Sequence, residues 1–478
     1  DFENDGLPRP EWEELLREMK RRADAAGLYR HDMPAELGGD DSTNLEMAII
    51  REHLARRGLG LHNDLQDESS MIGNFPAVRL VWTFGTREQK DEFCEAGIVG
   101  ERRIGFGLTE PDHGSDATWM ETRAEKRGND WVINGQKRWN TGLHTATHDL
   151  IFARTSGKDG SARGISAFLV PTDTPGFGVD FFRWTFNMPT DHADVSLRDV
   201  VVPNSTMLGA EGEGLMVAQQ FVHENRIRQA ASSLGAGEHC IDLSVDYARE
   251  RVTFGEPLAR RQAIQWPLVE LSTEAAMLQA LIRKTAAELD TRNHLEISDK
   301  VSMCNYRANR FCCDAADRAM QVHGGLGYSR HTPFEHIYRH HRRYRITEGA
   351  EEIQMRRVAG EDHPAVHEAR HAAALEGVDR VPLALELDGL AEHGADVGLD
   401  VLRPDRRGAV DVPAELEVEP PDVVGLLVHE RRAAGVERRV EPEPALGGER
   451  GLHAHVGDQE AVAERVAVAF LPQQLAQR

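Results

Sequence analysis

Hydrophobic periodicity switches twice along this chain, and those switches restrict its possible folds more than any other feature. Trp12, Leu15, Leu16, Met19 and Ala23 recur at helical spacing, and the stretches 44–57 and 86–97 read the same way. PAELGGDD (34–41) interrupts them with a proline and paired glycines. From Ile104 to Leu208 the texture becomes short runs of Val, Ile, Phe and Trp, such as WVINGQKRW, ISAFLVP, GVDFFRW and ADVSLRDVVVP. After Leu215 helical spacing returns, and Val301, Cys304, Ala308, Phe311, Ala315 and Ala319 keep one apolar face. The expected fold class is α+β multidomain. An all-α N-terminal domain (1–103) precedes a middle β-barrel or sandwich domain (104–212) and a C-terminal antiparallel four-helix bundle (213–360).

Composition breaks at residue 361. The 118 residues that follow contain no Ser, Thr, Asn, Ile, Lys, Met, Cys, Tyr or Trp. Nearly every residue there can be encoded by a codon beginning with G or C, which points to a shifted reading frame in a GC-rich gene. A genuine low-complexity acidic extension is the alternative. With one aromatic, Phe470, the tail has little apolar surface to offset ordering entropy, so disorder is expected.

The net charge of −23 argues against a nucleic-acid partner. No apolar run approaches the ~18 residues of a membrane span, and the acidic DFENDGLPRPEWEEL start does not resemble a secretory signal. The first residue is Asp rather than Met, so the start is expected to be incomplete. The five cysteines (Cys94, Cys240, Cys304, Cys312, Cys313) lie mostly in helical sequence without a metal-binding spacing, so a reduced core role and a cytoplasmic location are expected. His336 and His340 stand four apart in HIYRHHRRYR, but no third ligand accompanies them; a basic helix face is expected, and no metal. GAEGEG (209–214) and GGLG (324–327) adjoin helices outside any βαβ unit, which excludes a Rossmann reading. A linker and a helix stop are expected there.

Five blocks carry groups suited to chemistry: FGLTEPDHGSD (106–116), INGQKRWNTG (133–142), YARERVTFGEPL (247–258), QVHGGLGY (321–328) and RITEGAEEIQ (345–354). Together they resemble the acyl-CoA dehydrogenase family of flavoenzymes, over roughly residues 7–360. The resemblance implies FAD as cofactor and an acyl-CoA thioester as substrate. It places Phe106, Leu108, Thr109 and Ser115 against the flavin, with Ser115 also near the CoA portion. Trp139, Asn140 and Thr141 follow on the next strand, Trp139 flanking the ring and Thr141 facing its N5 edge. Asn140 stands where the family more usually has an apolar residue, and Asp112 and His113 replace smaller ones. Arg251, Phe254, Gln262, Gln321, Val322, Gly324 and Gly325 resemble the blocks that reach the FAD of a neighbouring subunit. That implies a homo-oligomer, dimer or tetramer.

Glu348, Gly349 and Ile353 match the family's EGxxxI pattern, which makes Glu348 the implied base, with Gly349 leaving room for substrate and Ala350 and Glu352 near the cofactor. Some relatives carry the base on an earlier helix just before an arginine resembling Arg226, itself an implied substrate contact. Here Asn225 holds that slot and Glu224 is the reserve. The implied reaction is α,β-dehydrogenation, with hydride transfer from Cβ to flavin N5 and reoxidation by an electron-transfer flavoprotein. An acyl-CoA oxidase, a flavin monooxygenase of the same family and a non-catalytic remnant binding CoA or FAD are the alternatives.

Overall fold

The computed structural model describes residues 9–59, 68–186 and 191–362. The tail beyond 362, with its expected disorder, lies outside the described residues. Among the described residues five helices come first: α1 Pro10–Ala25, α2 Asn44–Arg56, α3 Glu68–Met71, α4 Pro76–Phe84 and α5 Arg87–Ile98. Thr43 and Thr86 open α2 and α5 with reciprocal capping boxes to Glu46 and Gln89. The apolar face expected of α1 is covered only in part: Trp12, Leu16 and Met19 are half-buried, and Met19 packs against the core. Ala23 is its one buried residue, and Leu15 is exposed.

The middle region is β1 Ile104–Gly107, β2 Arg123–Arg127, β3 Asp130–Thr141, β4 His148–Arg154, β5 Ile165–Pro171, β6 Phe177–Arg183, β7 His192–Pro203 and β8 Met207–Leu208. They form one eight-stranded sheet in the order β6-β7-β3-β1-β4-β5-β8, with β2 bridging β3 and β4. Pairing is antiparallel except where β4 meets β1 and β2. Alternation along β4 feeds two cores. Leu150 and Phe152 pack with the helices, while Ile151 and Ala153 pack with Trp131, Phe168 and Val195 inside the β region. That double burial explains why β4 reads as an unbroken apolar run rather than an alternating one.

Residues 209–213 form the expected linker, pinned to β5 by a hydrogen bond from the Gly212 N–H to Ser166 Oγ at 2.8 Å. It leads into α6 Gly214–Glu250, a hairpin of β9 Val252–Thr253 and β10 Glu256–Pro257, then α7 Gln262–Leu289, α8 Ser298–His323, α9 Phe334–Arg342 and α10 Glu351–Asp362. The apolar face foreseen on α8 is fully buried: Val301, Cys304, Ala308 and Phe311 have no exposed surface. A Cβ on Gly235 would lie 2.1 Å from the Glu52 carbonyl, so α2 and α6 approach at backbone distance. Helix α2 therefore packs on the C-terminal helices although it belongs to the N-terminal region.

Candidate active site

Glu348 stands in the turn between α9 and α10 with a left-handed backbone, φ 56°. A glutamate in that conformation must be held there by its surroundings. Arg226 of α6 does so, its Nε and Nη2 donating to the Glu348 carbonyl at 3.0 and 2.5 Å. Gly349 follows with φ 89°, and a Cβ there would lie 2.9 Å from Arg226 Nη2. The glycine thus makes room for the guanidinium, a reason different from the one expected.

Burial pushes the Glu348 carboxyl up to about 7, opposed by the charges of Arg226 and Arg343 and by a hydrogen bond from Gln229. The residue as a whole is half-buried. Burial also brings Arg226 down to about 10, helped by Arg357 and opposed by Glu348.

A ladder of buried amides supports this turn. Gln229 Oε1 accepts from Asn305 Nδ2 at 3.2 Å, which turns the Gln229 N–H groups toward Glu348. Asn305 Oδ1 accepts from Gln354 Nε2 and Asn309 Nδ2 at 3.0 and 3.1 Å. Gln354 also donates to the Gly349 carbonyl at 2.8 Å, and Asn309 to that of Tyr344 at 3.0 Å. Three residues beyond Glu348, Glu351 is gripped by Arg310 and Arg345 at 2.7–3.1 Å. The two guanidiniums hold its carboxyl down to about 2.

The β side presents the second group. Thr141 is exposed and sits opposite Phe106 in the β1–β3 pairing, with its Oγ1 3.2 Å from His192 Nδ1. Trp139, φ 66°, leaves 46% of its surface exposed, with the Arg183 guanidinium 5.4 Å from its ring centre. Burial holds His192 below its ordinary value; the Arg343 charge adds to this and Asp191 opposes it. The Arg343 charge therefore bears on both His192 and Glu348. Phe106 makes a second link by stacking on Phe221 of α6 at 4.4 Å.

Asn140 and Glu224 are placed differently from expectation. Asn140 is fully buried and its amide donates to Asp149, so its side chain faces the sheet interior rather than a cofactor. Burial raises the Asp149 carboxyl to about 7, against the pull of Asn140 and Lys137. Val322 is buried in the bundle, and the half-buried Phe106 and Leu108 pack toward the helices. Thr109 is half-buried and its carbonyl accepts from the Arg138 N–H at 2.9 Å, while Ser115 is exposed on its loop. Ala350 is half-buried and Glu352 exposed. Glu224 is no reserve base: its carboxylate lies 3.2 Å from Arg79, in an ion cluster with Arg228 and Asp32 beside a separate cavity of about 210 Å³. His340 and His341 are buried rather than part of a solvated basic face, His340 bonding Tyr344 Oη at 3.1 Å.

Arg251, Phe254, Gln262, Gln321, Gly324 and Gly325 form a distant group, all exposed. Phe254 leaves 99% of its surface uncovered at the tip of the β9–β10 hairpin. Arg226 lies a third of the way along α6 and Arg251 just beyond its C-terminus, about 37 Å away at ~1.5 Å per residue. Arg343, Gln229, Asn305, Gln354 and Glu351 were not foreseen as site residues. Glu351 and Gln354 fall within the RITEGAEEIQ block and Arg343 within the basic run, whereas Gln229 and Asn305 carried no signal in the sequence.

Three family descriptions match the chain: acyl-CoA dehydrogenase N-terminal domain over residues 7–101, middle domain over 105–200 and C-terminal domain over 212–361. A probable acyl-CoA dehydrogenase of Mycobacterium tuberculosis is 32% identical over 72% of this chain and 84% of its own. An acryloyl-CoA reductase (NADH) of Anaerotignum propionicum is 32% identical over 70% and 84%. The solved structure of a putative acyl-CoA dehydrogenase from Mycobacterium abscessus superposes with a TM-score of 0.67 at 27% identity, covering 77% of this chain and 88% of that one. With the helical, β and helical regions in that order and identity above 30% across most of a relative's length, this chain belongs to the acyl-CoA dehydrogenase family.

Proposed function

We propose that this oxidoreductase removes hydrogen from the α and β carbons of an acyl-CoA thioester, with FAD as cofactor and Glu348 as the base for the α-proton. One observation carries the reading. A carboxyl with its backbone locked by Arg226 is raised by burial to about 7, under the charge of Arg343, which also bears on His192 beside Thr141. A base matched to neutral pH is what removal of a weakly acidic α-proton requires.

The residues present fit a flavin. Trp139 offers an aromatic face without full protein cover, and nothing lies within 4 Å of a Cβ built on Gly324 or Gly325. Trp139, Thr141 and the backbone of 106–109 would hold one part of it; Arg251, Phe254, Gln262, Gln321, Gly324 and Gly325 of a neighbouring copy would hold another. Their separation along α6 is why one chain would not suffice, and Arg suits phosphate through its planar fork. Bound FAD would supply the hydride acceptor. The protein's own part is to aim Glu348, to receive the proton on its carboxylate, and to stabilise the thioester oxygen. The Glu348 N–H makes no hydrogen bond among the described residues and is free for that last task.

Three domains with borders near 103 and 212 belong to this reading, as do an electron-transfer flavoprotein as acceptor and Ser115 as a CoA contact. The reductase relative favours a second direction, in which Glu348 returns a proton to an α,β-unsaturated thioester. Among the described residues no helix is long and apolar enough to cross a membrane. The test is anaerobic mixing of the FAD-loaded protein with saturated acyl-CoA. Glu348→Gln should retain FAD and lose flavin bleaching; undiminished bleaching would remove Glu348 from the mechanism.

A further inference from the structure

Phe221, Asn225 and Gln229 are spaced four apart on α6 and share one face. At one end Phe221 stacks on Phe106 of the β region, and at the other Gln229 bonds the Glu348 carboxylate. Asn225 stands between the two, and an acyl chain running from Glu348 toward Phe106 would pass it. Its side chain is half-exposed and makes no hydrogen bond or ion pair with the described residues. Gln229 adds a donor, because Asn305 occupies its oxygen and Glu348 takes one of its two N–H groups.

An unsubstituted alkyl chain laid on this face would strip water from the Asn225 amide and the spare Gln229 N–H and return nothing. An oxygen on the acyl chain would satisfy them. Both groups are neutral amides, which favours hydroxyl or carbonyl oxygen over a carboxylate.

We propose that Asn225 and Gln229 make this site selective for acyl thioesters whose chain carries a hydroxyl or carbonyl oxygen beyond the β carbon, over plain alkyl chains of equal length. The inference rests on the thioester reading above. A site built to hydrogen-bond a substrate oxygen discriminates strongly against the analogue lacking it, whereas an apolar pocket does not.

The experiment is calorimetric titration of FAD-loaded Glu348→Gln protein, which cannot turn over, with matched pairs of CoA thioesters. Each pair is a straight-chain alkanoyl-CoA and its γ- or δ-hydroxy or keto analogue. The oxygenated member should bind at least about tenfold tighter, and adding Asn225→Leu should bring the pair within about twofold. Equal or tighter binding of the alkanoyl-CoA without the Asn225 change overturns this inference while leaving the thioester reading intact. No binding of either member at millimolar concentration overturns both. Should the Asn225→Leu protein fail to fold, the ratio measured with Asn225 in place decides alone.

Discussion

Glu348 and Glu351 lie one helical turn apart in sequence and end in opposite electrostatic states. At Glu351 two guanidiniums grip the carboxylate itself and hold it down to about 2. At Glu348 the nearest guanidinium bonds the backbone carbonyl instead, so burial dominates and the carboxyl rises to about 7. Arginine near a glutamate thus has no fixed meaning. One arrangement makes a strut that stays ionised, the other a group able to exchange a proton near neutral pH.

The largest expected effect breaks the comparison at its reactive end. Glu348→Gln should slow flavin bleaching by acyl-CoA about 10³–10⁴-fold while thermal stability stays close to the parent's, as stopped-flow absorbance and calorimetry would record. Next, Glu351→Gln should cost on the order of 2–3 kcal/mol in urea unfolding, discounted because Arg310 and Arg345 are partly exposed and can be hydrated once unpaired. The folded fraction should still be bleached within about threefold of the parent rate. The sign with pH follows from the lowered value. The Glu351 contribution is complete above 4.5 and disappears as pH falls through about 2. An acid-unfolding midpoint left unmoved by Glu351→Gln would contradict the clamp.

Gly349→Ala forces a side chain onto φ 89° and against Arg226 Nη2, and should cost about 1–3 kcal/mol in the same urea assay. A neutral outcome would mean that the turn relaxes and Arg226 does not depend on the glycine. The smallest effect sharpens the comparison. As base, Glu348 acts ionised, so kcat/KM should rise tenfold per pH unit below about 7 and then level off. Gln229 favours the ionised form, so Gln229→Leu should move that limb upward, by less than about one unit. A downward move would show that Gln229 bonds the neutral acid.

Much of the fold was legible because periodicity is local. The α8 face of Val301, Cys304, Ala308 and Phe311 is buried as its spacing implied. On α1 the same reasoning held in part: Ala23 is buried and Met19 packs against the core, while Leu15 is left exposed. The EG pair singled out Glu348, but the amides that aim it could not be foreseen. Gln229, Asn305, Asn309 and Gln354 look like ordinary polar helix positions until three helices bring them together. Arg343 read as part of a basic surface, and the fold turned it toward His192 and Glu348. Asn140 stood out as unusual beside Trp139, yet the pleat sends its amide inward to Asp149.

The order of helical, β and helical regions and the presence of a glutamate–glycine pair were determined by the sequence alone, since each depends on neighbours within a few residues. Which glutamate is raised and which is lowered was decided by the tertiary structure. Carboxyl chemistry depends on burial and on charges from α6, α8 and the turn before α10, groups more than a hundred residues apart in the case of Arg226 and Glu348.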